Sequence, residues 1–352
     1  MAPATTQAAQ SAWRRRLLSL GRAAAGLGLA ALLLWLTWRR AAAGPGVEWA
    51  AVSWPRLALA FLAYGAVVGC CALRWGVLLR VQGIRLPFRQ LLRLTLIGNF
   101  FNLALPGAVG GDLVKMALIA RRCPAKNAES VFSIVVDRIF GLLGLFTLAA
   151  AMVLANLGGL LALDGRFAAV KAAALAVGGG ALAAVGGVVV VELHGRLLRF
   201  APVRRGVAAA AKRLPARLVT VVTRLARALD QYRRARAALA LAFALSLAVH
   251  FTLALLLFLI GRGLGEGALP FSGYLLAAQI ANAVASIPLT PSGVGLRDFT
   301  VAAFLEAFHG QAAAAAAIPL AQTVIFTAWG LVGGVVFAVA GRPPAAAAGK
   351  PG

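Results

Sequence analysis

The chain has 352 residues, of which 61% are hydrophobic and only 13% charged, and its net charge is +25. A soluble domain of this size carries about a quarter charged residues, so a water-soluble fold is excluded, and several apolar runs of about 20 residues have the length that crosses a bilayer. The 35 Lys and Arg against 10 Asp and Glu lie between the apolar runs without interleaved aromatics or a nucleic-acid motif, which points to membrane orientation and anionic lipid and not to nucleic acid.

Residues 1–16 read as a cytoplasmic tail ending in Arg14, Arg15 and Arg16. The first span is expected at 17–38, because its apolar core is too long for a signal peptide and no small-residue cleavage site follows. A second span is expected at 57–79. Arg74, near its end, reads as an anchor whose head snorkels to the interface. The loop at 80–93 is basic (Arg80, Arg85, Arg89, Arg93), as is the one holding Arg121, Arg122 and Lys126.

Between these two basic loops lies NFFNLALPGAVGGDLVK, Asn99 to Lys115. A continuous membrane helix tolerates this combination poorly, since proline removes a backbone donor and clashes with the preceding turn. Backbone groups freed by a break in lipid must be satisfied within protein or in a water-filled cavity. Both flanking loops should be cytoplasmic, so the segment 94–118 is expected to enter the membrane and return.

A third span is expected at 131–155, with Asp137 and Arg138 inside it, and a fourth at 168–191. Residues 192–236 are dense in arginine against only Glu192 and Asp230. Within them Leu218, Val221, Val222, Leu225, Leu229 and Tyr232 share one helical face, the pattern of a helix lying on the inner membrane surface. A fifth span is expected at 238–260, with His250 at its middle as an interhelical hydrogen-bonding group; Gln279, Asn282 and Gln322 read as interhelical glue. A second broken segment, 274–308, contains IPLTPSGVGLRD between weakly charged loops and is expected to enter from the opposite side. The last span is expected at 316–340, before a tail over 342–352. Cys70, Cys71 and Cys123 form neither a disulfide framework nor a metal cluster.

The two broken segments share a pattern. Pro106 to Gly110 and Pro291 to Gly295 both read Pro-x-x-Val-Gly, followed by Asp112 and Asp298. The order of span, broken segment and span also repeats, with opposite starting sides. The fold class is therefore an all-α polytopic membrane protein, with about six spans plus two re-entrant broken helices in an inverted repeat, over residues 17–341. Inverted repeats with broken helices near the midplane are a common build for transporters. The half-helices starting after each proline would point amides at an anion, and Gly110, Gly111, Gly293 and Gly295 would let backbone approach a ligand closely.

Three motifs in order, GNFFNLALPGAVGGDLVKMALIARR, SVFSIVVDRIFGLLGL and IPLTPSGVGLRD, resemble the membrane region of lysylphosphatidylglycerol synthases, the multiple peptide resistance factors, and its stand-alone flippase-like relatives. The resemblance runs from about residue 20 to 340. It implies movement of a phospholipid or polyprenyl-linked lipid between leaflets of a prokaryotic cytoplasmic membrane; the count of six spans and two re-entrant segments puts both termini in the cytoplasm. The motif positions that it transfers here are Asn99, Pro106, Gly107, Gly110, Gly111, Asp112, Asp137, Arg138, Pro291, Gly293, Gly295 and Asp298. Asp298 stands where Glu is expected in many relatives. Only Gly341 to Gly352 follow the last span, where the full synthases continue into an aminoacyl-transferase domain, so this chain is not expected to make the aminoacyl lipid.

Asn102, Lys115 and Arg297 join these as candidate translocation residues, because polar and ionisable side chains within a membrane are costly and mark functional paths. Asp112 and Lys115 sit three apart and share a helical face, so they read as a charge pair along a headgroup path or as partners of each other. Asp137 and Arg138 point about 100° apart and are expected to pair with different helices. No enzyme activity, metal or cofactor is expected. The expected partner is a membrane lipid with an anionic headgroup, along with possible lipid- or glycan-synthesis enzymes. An ion-coupled small-solute transporter and a membrane scaffold for lipid or glycan synthesis remain as alternative functions.

Overall fold

The computed structural model describes residues 27–39, 42, 52–104, 110–197, 232, 234–287, 289–308 and 312–339. These residues form a polytopic, all-α membrane protein. The helices are α1 (Leu27–Arg39), α2 (Trp54–Val81), α3 (Phe88–Ala104), α4 (Gly110–Arg122), α5 (Asn127–Ala155), a short α6 (Leu157–Leu161), α7 (Ala168–Leu197), α8 (Arg236–Gly263), α9 (Phe271–Ala285), α10 (Leu296–Ala307) and α11 (Ala312–Val339). Among the described residues α2, α5, α7, α8 and α11 are long and apolar enough to span. The first expected span is described only from Leu27, and the face expected over 218–229 lies outside the described residues.

Helix ends follow local chemistry. Pro55 opens α2 at a position where no intrahelical donor is needed. Gly83, at φ +68°, lets the chain leave α2 and turn into α3. Both ends of α2 are pinned to α8. Ser53 donates its backbone N–H to the Gly263 carbonyl (2.8 Å) at one end. Tyr232, just before α8, donates its hydroxyl to the Leu78 carbonyl (3.1 Å) at the other. These two helices therefore run antiparallel along their length.

The inverted repeat is visible in the packing. α2 packs on α3 as α8 packs on α9; α3 on α4 as α9 on α10; α4 on α5 as α10 on α11. Across the halves, α3 packs on α11 and α9 on α5. The α2–α8 pair lies between the halves, its two members matching each other. α7 stands outside this scheme and covers α5, α9 and α10.

The main apolar core is built from α8, α9 and α10, with Tyr274, Phe304, Leu256, Leu257 and Ile260 fully buried. A second core joins Trp75 and Leu79 of α2 to Leu91 and Leu94 of α3, Ile119 of α4 and Ile134 of α5. Small residues set the closest approaches, as is usual between membrane helices. A Cβ on Gly333 of α11 would overlap the Leu96 carbonyl of α3, and one on Gly144 of α5 would lie 2.6 Å from the Ser246 Cβ of α8.

Candidate functional site

Both broken segments are helical hairpins. In the first, α3 and α4 pack face to face around the break at 105–109, which places Pro106 and Gly107 outside the described residues. The hairpin closes on glycine: Gly98 and Gly111 face each other so closely that a Cβ on Gly111 would overlap the Gly98 carbonyl oxygen. Asn102 completes the closure, its Oδ1 accepting the Gly111 N–H (2.8 Å). Asn99 lies half-buried, three residues earlier on α3.

In the second hairpin, α9 and α10 pack together around residues 286–295. Pro291 opens a single 3₁₀ turn, Pro291–Gly293, and is buried. Gly293 and Gly295 take φ +71° and +79°, and Ser292, immediately before Gly293, takes φ +50°. Only glycine enters that region without steric cost, and Ser292 is held there by a hydrogen bond. Its Oγ donates to the Asn102 carbonyl (2.8 Å). The two tips thus meet directly, at Asn102 and Ser292, 190 residues apart in the chain.

Asn102 is bonded at both ends: its side chain holds the start of α4 and its carbonyl holds the opposite tip. Asn102→Ala is expected to cost about 1 kcal/mol from the lost amide cap. Ser292→Gly keeps the backbone but loses the cross-tip bond, and it is expected to cost a similar amount. Thermal unfolding of the purified protein in detergent checks both. A melting point unchanged by either would mean that the tips are held by something else.

Charged groups cluster on the α4–α5–α2 side. Asp112, in the first turn of α4, is 8% exposed and receives both Nε and Nη2 of Arg138. The Arg138 side chain is half exposed, so this ion pair borders open space. Asp137, one residue earlier, faces the other way. It receives Arg74 through Nε (2.8 Å) and Nη2 (3.2 Å), both residues being 6% exposed, while Arg74 Nη1 reaches Ser246 Oγ of α8 (3.0 Å). The expectation that Asp137 and Arg138 pair with different helices holds.

Two expectations are corrected. Arg74 does not snorkel: it is buried at a three-helix junction, where Gly141 of α5 leaves room for its guanidinium. The net gain there comes from three charge-assisted hydrogen bonds, which an isolated membrane helix could not supply. Asp112 and Lys115 are not partners. Asp112 is taken by Arg138, and the Lys115 ammonium sits 3.8 Å from the centre of the Trp75 ring, a cation–π contact. Lys115 is 6% exposed and makes no ion pair among the described residues. Sharing a face makes contact available to a pair, and here Trp75 and Arg138, both from other helices, win.

The second hairpin mirrors this arrangement with fewer charges. Asp298 is fully buried; one oxygen accepts the Gly295 N–H (2.8 Å) and the other accepts Arg297 (3.0 Å) and Thr323 Oγ1 (2.7 Å). The Arg297 guanidinium lies 4.5 Å over Phe326, which stacks in turn on Tyr64. Asp112 with Arg138 on one side corresponds to Asp298 with Thr323 on the other. Arg138 and Thr323 occupy the same turn of α5 and α11, each eleven residues after its helix start at Asn127 or Ala312.

The amides expected to face an anion are already satisfied at two points. Asn102 takes the Gly111 N–H and Asp298 takes the Gly295 N–H. The protein thus places its own acceptors at the half-helix starts, where negative groups are favoured. His250 is an interhelical hydrogen-bonding group, as expected, donating through Nε2 to the Gly141 carbonyl (3.0 Å). Gln279 donates to the His250 carbonyl (3.3 Å).

Sequence reasoning missed Ser246, Ser292, Thr323 and Trp75. Each is an ordinary residue in its own helix or turn, and only the partner across space marks it. The pattern of a break facing a break did signal that the tips would be important, but not which atoms join them.

The family model described as the lysylphosphatidylglycerol synthase TM region matches residues 23–340, a range that takes in every helix described above. No curated protein matches the chain.

Proposed function

We propose, on the premise that the chain belongs to the family of lysylphosphatidylglycerol synthase transmembrane regions, that it carries an anionic phospholipid or polyprenyl-linked lipid between the leaflets of a prokaryotic cytoplasmic membrane. The observation that carries this reading is the meeting of the two broken hairpins at Asn102 and Ser292, with the half-exposed Arg138–Asp112 pair beside it. A phosphate approaching Arg138 finds a guanidinium with its charge already oriented, and exchanges for Asp112 at low reorganisation cost. Lys115 on the Trp75 ring supplies a second cation without a carboxylate in contact.

The inverted pair of hairpins supports alternating access by rocking one half against the other. In that scheme the acyl tails stay in lipid while the headgroup crosses through the cluster. The chain acts as a carrier and forms no covalent intermediate. Coupling would come from ions or from the lipid gradient, and the arginine-rich ends would face the cytoplasm.

Reconstitution into liposomes with short-chain fluorescent phospholipids of several headgroups tests the proposal, with dithionite bleaching as the readout. Bleaching of inner-leaflet lipid should be accelerated over protein-free liposomes, and more for anionic than for zwitterionic headgroups. Arg138→Ala and Asp112→Ala should each slow it by about tenfold or more, as loss of one desolvated charge-assisted contact does. Equal rates with and without protein for every headgroup would sink the phospholipid form of the proposal.

A further inference from the structure

At the end of the bundle where α2 finishes, a cavity of ≈ 540 Å³ is lined by Arg80, Arg85, Leu86 and Pro87. Beside it lies a second, of ≈ 410 Å³, lined by Val77, Arg80 and Val81 of α2 and Ala237, Ala238 and Leu241 of α8. Arg80 borders both. One compartment is therefore basic and the other an apolar groove between two spanning helices. None of these residues belongs to the hairpin cluster described above.

We infer that this end holds a separate lipid-docking site, in which an anionic phospholipid places its phosphate between Arg80 and Arg85 and lays an acyl chain along the α2–α8 groove. The docking site rests first on charge. Arg80 and Arg85 are exposed and make no ion pair among the described residues. Two such guanidiniums flanking one cavity match a phosphodiester, which accepts bidentate donors.

It rests second on the turn that presents them. Lys126 donates from Nζ to the Gln82 and Gly83 carbonyls (3.0 and 3.2 Å), and Ile84 is buried in the core beside Trp75. Arg85 is thus displayed from a turn fixed on both sides. It rests third on the groove, where Leu241 is half exposed at the level of the spanning helices, a position that meets acyl chain in a bilayer.

By composition the stretch 196–231 is rich in arginine, the same sign of charge as the cavity, which disfavours it as the occupant. Lipid docking here does not depend on the carrier reading and goes beyond it.

The test uses the full chain in phosphatidylcholine vesicles doped with phosphatidylglycerol that bears a photoactivatable diazirine on one acyl chain, with cross-linked peptides mapped by mass spectrometry. Cross-links should fall on residues 77–88 and 237–241, and the same diazirine on phosphatidylcholine should label them far less. Arg80→Gln with Arg85→Gln should lower this labelling about thirtyfold, taking the usual contribution of each interfacial arginine to anionic lipid binding. Both side chains are exposed, so folding is not at stake.

Ala238→Trp, which fills the groove while leaving the arginines, should lower the labelling as well. Equal labelling by the two lipids, or labelling that survives the paired arginine substitution, overturns the inference. Labelling lost with the arginines but untouched by Ala238→Trp overturns the acyl-chain part and leaves a headgroup contact alone. Dithionite bleaching in the same vesicles reports on the carrier proposal independently, so a failure of one is distinguishable from a failure of the other.

Discussion

Arg74→Leu is expected to destabilise the protein by about 3 kcal/mol or more, because it leaves Asp137 buried without its partner. Asp137 receives two guanidinium hydrogen bonds and is 6% exposed, so no water replaces them easily. The paired substitution Arg74→Leu with Asp137→Leu removes both charges, and most of the loss should return, as buried ion pairs replaced by apolar residues usually show. Arg74→Lys keeps the charge, but a single ammonium cannot span both Asp137 oxygens and Ser246. An intermediate loss is expected. Thermal unfolding in detergent, followed by intrinsic tryptophan fluorescence, measures all three. A single variant no less stable than the paired one would show that leaving Asp137 without Arg74 carries no penalty at this junction.

Gly111→Val should be nearly as damaging, for a different reason. A Cβ at this position overlaps the Gly98 carbonyl and lies 2.7 Å from the Asn102 side chain. Both obstacles belong to α3, and the closer one is backbone, so it cannot move aside as a side-chain end would. The hairpin must open, and overpacking of this kind costs about 1–3 kcal/mol. Opening also withdraws the Gly111 N–H from Asn102 and carries Asp112, the next residue, away from Arg138. Lipid movement, if it depends on that pair, should fall along with the melting point. Gly179→Ala on α7 is the control, since nothing lies within 4 Å of the added carbon; it should stay within about 0.5 kcal/mol of the parent, as surface substitutions do. A Gly111→Val protein with the melting point and bleaching rate of the parent would rule out close α3–α4 contact.

These two sites show how differently the fold announces itself. Gly111 was visible in the sequence, directly after the Pro-x-x-Val-Gly pattern of Pro106 to Gly110 that recurs 185 residues later at Pro291 to Gly295. Arg74 was visible only as a charge inside a span, and its role was misassigned. The interface anchor and the buried junction have the same sequence signature, an arginine a turn or two from a helix end. What separates them is whether a carboxylate on another helix lies at the same depth.

The same limit applies to Asp112. Its spacing from Lys115 made contact between them available, yet Arg138, 26 residues on, provides a bidentate partner with better geometry. Helical spacing restricts which neighbours share a face. It does not rank them against side chains arriving from other helices.

The sequence by itself determined that this is a multi-spanning helical membrane protein, where the five long spans among the described residues lie to within a few residues, and that two interrupted segments repeat. Those features depend on local composition: apolar length against bilayer thickness, and proline and glycine against helix continuity. Tertiary structure alone decided that the two interruptions meet at Asn102 and Ser292, that α2 and α8 form the seam between the halves, and that Arg74 and Asp137 complete each other. Each of these is a contact between residues tens to hundreds of positions apart. Such contacts are selected by which buried polar group finds its partner when lipid offers no water in its place.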